Sequence, residues 1–99
     1  MRAYAWDGYG FEVVEHEVPG EGWGPALLRL IDASIAKMND PENPEMNLIQ
    51  NPTFRVTDGV DVMAGQYGRE EARIYVSSSP AKAKALAEKE LSEYLNWKS

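Results

Sequence analysis

Cysteine is absent from the 99 residues and histidine occurs once. The first absence removes disulfides, thiolate nucleophiles and thiolate metal sites, which fits a reducing compartment and makes the cytoplasm the expected location. The second leaves no histidine pair for zinc or for paired acid–base work, so neither a metal nor a cofactor is expected. No apolar run approaches the roughly 20 residues of a membrane span. The opening Met-Arg-Ala-Tyr-Ala-Trp-Asp reaches an acid too early for a secretion signal. Glycines at 8, 10, 20, 22 and 24 match neither a phosphate-binding loop nor a dinucleotide fingerprint, because no strand leads through them into a helix. Asp40, Glu42 and Glu45 lack calcium-loop spacing and read as a solvated loop. These gaps lead to the expectation that the chain is not an enzyme.

Positive charge is also scarce where it would matter for nucleic acid. The formal net charge is −6, and all of it lies in the first half: nine acids against Arg2, Arg29 and Lys37 through Gln50, then seven acids and seven bases. Such a field repels phosphate and attracts basic surfaces. An apolar fraction of 43 % with ten aromatics is enough for one folded core, and the length matches one domain over residues 1–99.

The spacing of apolar residues sets the fold class. Tyr4-Ala-Trp6 and Tyr9-Gly-Phe11-Glu-Val13 flank Asp7-Gly8, a two-residue hairpin signal that would set Trp6 opposite Tyr9 and Tyr4 opposite Phe11, gathering four aromatics on one face. Val13 to Val18 continues the second strand with a break in alternation. Pro19 to Pro25 is a glycine-rich loop carrying Trp23, and Pro25 to Met38 has helical spacing at Leu27, Leu28, Ile31, Ile35 and Met38. Thr53–Thr57 and Val60–Ala64 flank Asp58-Gly59, a second hairpin signal, before a reversal near Gly65–Arg69 and a strand over Ala72–Val76. Ser79-Pro80 opens a last helix, since serine caps the free amides and proline suits the first helical position. Its stripe of Ala83, Leu86, Ala87, Leu91, Tyr94 and Leu95 is expected to meet Ala72, Ile74 and Val76. The expected architecture is α+β: a twisted antiparallel sheet of four to six strands with two helices packed on one face, in the order β-β-α-β-β-β-α.

Chemistry-bearing residues are few. His16 stands between Glu15 and Glu17, but neighbours along a strand point to opposite faces, so the three read as a partly exposed strand rather than an acid–base group. Ser79-Pro-Ala-Lys-Ala-Lys84-Ala-Leu-Ala87-Glu-Lys-Glu-Leu91 is similar to the last helix of double-stranded-RNA-binding domains, whose start grips phosphates with lysines. Lys84 with Ala83, Ala87 and Leu91 fits that pattern, whereas Pro80 and Ala81 stand where lysines are found, and the likeness spans about a fifth of the chain. In composition the whole chain resembles small acidic phage-encoded antagonists of host defence, including anti-CRISPR proteins. That likeness implies docking on a nucleic-acid-binding protein.

The leading expectation is therefore a non-enzymatic, acidic protein-interaction module, an inhibitor or adaptor on a larger basic protein, present as monomer or homodimer. Its expected contact residues are Tyr9, Glu12, Glu15, Glu17, Glu21 and Trp23. The alternative is an RNA or single-strand binder that stacks bases on the aromatic hairpin and holds phosphates with Arg55, Arg69, Arg73, Lys82 and Lys84.

Overall fold

Small and large residues alternate in Arg2-Ala-Tyr-Ala-Trp-Asp, so a strand over these residues has one bulky face and one flat one. In the computed structural model, which describes residues 2–17 and 49–98, that strand is β1 (Arg2–Asp7). It is joined by β2 (Val14–Glu17), β3 (Gln50–Thr57), β4 (Val60–Tyr67), β5 (Glu70–Val76) and the helix α1 (Pro80–Lys98). The strands form one sheet in the order β2-β1-β5-β4-β3, every neighbouring pair antiparallel. An α+β chain with a five-stranded antiparallel sheet and a C-terminal helix is thus in place. The expected helix over 25–38 lies outside the described residues.

The two hairpin signals fared differently. Asp58 and Gly59 both have positive φ, 51° and 78°, and join Thr57 to Val60 as a two-residue turn whose twist matches the strands. Asp7-Gly8 makes no such turn. Tyr4 pairs with Glu15 and Arg2 with Glu17, so a longer loop separates β1 from β2 and the four aromatics do not share a face. Asp7 causes the change, because its side chain binds the backbone of the following residues and opens the turn.

The helix lies on the face opposite to the expected one. Ala83, Ala87 and Leu91 pack with Tyr4, Trp6, Val60, Val62 and Tyr75, flanked by Val13, Leu86 and Tyr94. Ala3, Ala5, Met63, Ile74 and Val76 form a separate buried cluster with Ile49 on the other side. Size complementarity accounts for the choice: small alanines on the helix leave room for the large rings of β1 and β5, and interiors close-pack such pairs. Each large ring so buried contributes roughly 1.5 to 3 kcal/mol. Trp6 and Tyr75 also satisfy their polar ends, Trp6 Nε1 donating to Tyr75 Oη at 3.0 Å. At the helix start the carbonyl of Ser79 accepts from the amides of Lys82 and Ala83, as a capping residue's does. The serine hydroxyl bound to a backbone amide there is that of Ser77, which accepts from Ser79 N at 3.1 Å.

Candidate interaction surface

The segment from Asp7 to Glu17 carries most of the described contact candidates, and its shape starts from one carboxylate. Asp7 Oδ1 accepts from the amides of Tyr9 and Gly10, both at 2.8 Å, while the Asp7 carbonyl accepts from Phe11 N at 3.2 Å. Gly8 N donates to the carbonyl of Glu71 at 2.9 Å, which ties the loop to β5. Tyr9 reaches across the next turn, its hydroxyl accepting from Arg69 N at 3.0 Å and its ring meeting Tyr67 edge-on at 6.0 Å. Gly68, at φ 65°, has no room for a Cβ beneath that hydroxyl. Tyr9 is nonetheless 55 % exposed, so it serves the fold with its tip and leaves much of its ring at the surface. Phe11 has φ 56° and is 47 % exposed.

Along β2 the alternation puts Glu15 and Glu17 on the side of Tyr4 and Arg2, and both carboxylates pair with Arg2, at 2.5 and 3.3 Å. The pairing raises the Arg2 pKa, Glu15 contributing more than Glu17. Glu12, Glu15 and Glu17 are exposed. His16 points the other way, opposite Ala3, and is only 9 % exposed, not the half-solvated residue expected from its acidic neighbours. Burial holds its pKa below the ordinary value. The acids beside it in sequence are across the sheet from it, so the three do not converge. Glu21 and Trp23 lie outside the described residues.

The cationic candidates are divided between structure and surface. Glu90 Oε1, on α1, accepts from Tyr75 Oη at 2.7 Å, Arg73 Nη1 at 2.8 Å and Arg55 Nη2. Arg73 also pairs with Glu71 and lies 5.2 Å from the Trp6 ring centre. Burial alone would raise the Glu90 pKa, but the hydrogen bonds from Arg55, Tyr75 and Arg73 outweigh it and the net shift is downward. Burial likewise opposes the charge on Arg73, yet Glu71 and Glu90 more than offset it and raise its pKa. Tyr75 is pushed up, first by burial and then by Glu90. This network fastens α1 to β3 and β5. Arg55 and Arg73 are thereby committed within the chain, whereas Lys82 and Lys84 are exposed on the helix. Tyr4 and Trp6, at 4 % and 3 % exposure, lie under α1 and offer no stacking face.

Two further features were not singled out by sequence. A groove of about 380 Å³ runs beside α1, walled by Val13, Leu91 and Leu95 and rimmed by Lys84, Glu88 and Ser92. At the far end of α1, Glu70 accepts from Tyr94 Oη at 2.7 Å and pairs with Lys98; those bonds, Lys98 first, lower its pKa. The exposed Trp97 ring lies 6.1 Å from that of Tyr94. Leu95 falls in the helical stripe and Phe11 in the aromatic run, so both were visible as apolar residues. Their exposure depends on the loop and helix placement, which spacing does not give.

Among the described residues no three histidine, aspartate or glutamate side chains converge as a metal-ligand set, and no helix is long and apolar enough to cross a membrane. In comparisons with known proteins, no family model matches the chain. No curated protein matches it, and no solved structure does.

Proposed function

We propose that the chain is a non-enzymatic protein-interaction module that docks on a larger protein with a basic surface and acts there as an inhibitor or adaptor. The observation that carries the reading is one consecutive segment, Tyr9 to Glu17, in which Tyr9, Phe11, Glu12, Glu15 and Glu17 are all exposed. Exposed rings beside carboxylates are the chemistry of a docking patch: the rings supply buried contact area, and the acids steer a basic partner and fix its orientation. The loop holding the rings is braced by Asp7, Glu71 and Arg69 before any partner arrives, which lowers the entropy lost on binding. A nucleic-acid-binding protein, whose own site is basic, is the partner class that fits best. Blocking of such a site by acids is the mode the compositional likeness to phage-encoded antagonists implies.

The test is matched affinity capture with the wild-type chain and the triple variant Glu12→Lys, Glu15→Lys, Glu17→Lys, followed by binding measurements on each purified candidate. A basic protein held by the wild type and lost by the triple variant supports the reading. A set of captured proteins that is unchanged by the triple variant defeats it.

A further inference from the structure

We infer that two copies of this chain associate about a two-fold axis, each inserting Phe11 into the groove between Val13 and α1 of the other. This does not rest on the partner reading above; it draws on two residues of the same segment, Phe11 and Glu12, and adds the groove along α1. A bulky non-glycine residue at φ 56° is an outlier that persists only where its surroundings impose it. Here Asp7 imposes it, through the bonds from its carboxylate and carbonyl to the amides of residues 9 to 11. The ring held in this way is 47 % exposed, so the strained backbone secures little packing for it within its own chain.

The groove supplies what the ring lacks. It is an open groove of about 380 Å³, so a side chain from another molecule can reach it from outside. Val13, Leu91 and Leu95 form an apolar wall, and Phe11 is not among the described residues that line it, so the Phe11 ring does not fill the groove of its own chain. Ring and groove adjoin, because Phe11 precedes Val13 by two residues. An axis passing between them lets both insertions occur in one contact, which is the self-complementarity a two-fold interface requires.

Charge favours the same occupant. Glu12 follows Phe11 directly, and Lys84 stands on the groove rim. Neither has an ion-pair partner among the described residues. Glu88 lies one helical turn beyond Lys84, so an inserted Phe11-Glu12 meets attraction at one end of the rim and repulsion at the other, and this sets its direction. A second copy therefore brings both the apolar plug and the matching acid.

Sedimentation equilibrium of the full chain from micromolar to millimolar concentration tests the inference. The wild type is expected to show a reversible monomer–dimer equilibrium. Phe11→Gly relieves the positive φ, so its thermal midpoint should match or exceed that of the wild type while the dimer disappears. Leu95→Glu should also be monomeric. Glu12→Lys and Lys84→Glu should each weaken association about tenfold, and the double variant should recover it, as complementary charges do. A wild type that stays monomeric at the highest concentration overturns the inference, as does a dimer that survives Phe11→Gly. Failure of the double variant to recover also overturns it. Leu95→Glu touches no residue of the Tyr9–Glu17 segment, so loss of the dimer in that variant with capture retained separates the two readings.

Discussion

At Glu90 one carboxylate oxygen accepts bonds from Tyr75, Arg73 and Arg55, and its side chain is 13 % exposed. Glu90→Gln keeps the shape, removes the charge and leaves the Arg73 guanidinium, half sunk beside Trp6, with Glu71 alone. Removing one partner of a buried pair leaves the other uncompensated, and since Arg55 is partly solvated the expected loss is about 2 kcal/mol. A urea titration should show it as a lower midpoint with unchanged slope. The folded Glu90 pKa is depressed, so its contribution is present above the unfolded value of 4.5 and is lost as pH falls through the folded one. The variant should therefore lose less stability than the wild type on acidification below about 4.5. His16 acts in a separate window. Its folded pKa lies below 6.5 because it is buried, so as pH drops below 6.5 the unfolded chain takes up the proton first and stability declines until the folded pKa is reached. It is the chain's single histidine, so His16→Leu should flatten the stability profile just below pH 6.5, measured by thermal unfolding across that range.

At the scale of the element, the two Asp-Gly pairs show how far a dipeptide can be read. Asp58-Gly59 joins strands that pair in unbroken register from Thr57–Val60 to Thr53–Ala64, and both turn residues take positive φ as the signal requires. A Cβ at Gly59 meets nothing within 4 Å, so Gly59→Ala tests backbone conformation alone; the expected loss is about 1 kcal/mol, read from thermal unfolding. Asp7-Gly8 is followed by Tyr9-Gly10, and the Asp7 carboxylate caps both of those amides, so the reversal spreads over several residues and positive φ moves to Phe11. Aspartate's capacity to bind the following amides was legible; which of its two turn habits would win was not, because the pairing of Tyr4 with Glu15 decides it and that pairing is long-range. The last helix was legible nearly to its ends, since Ser79-Pro80 marks its start and Ala83, Ala87 and Leu91 are its buried stripe. Which sheet face it covers was not, because alternation in β5 makes both faces partly apolar. Only the rings of Tyr4, Trp6 and Tyr75 against small helix residues break that tie.

For the whole molecule, the charge asymmetry is plain in the sequence, but how it is spent on the surface is not. Of the six residues expected to touch a partner, Tyr9, Glu12, Glu15 and Glu17 fall on one continuous segment, while Glu21 and Trp23 lie outside the described residues. Arg2 sits across the strand pair from Glu15 and Glu17 and offsets part of their field, an effect that required the register. These three side chains are all substantially exposed, and exposed pairs contribute roughly 0 to 1 kcal/mol, so changing them should barely move unfolding. Their effect on association is a different matter, because a basic partner responds to the summed field rather than to any one pair. Arg2→Ala removes the cation that offsets both carboxylates and should accelerate binding of such a partner severalfold at low salt. Glu15→Gln with Glu17→Gln should slow it by a similar factor, with dissociation little changed in either case. Stopped-flow association rates at two ionic strengths distinguish steering from contact: a steering effect shrinks as salt rises, and a contact effect does not. If Arg2→Ala slows association instead, the acids of β2 are not what the partner approaches, and docking must be sought on the Phe11 loop or along α1.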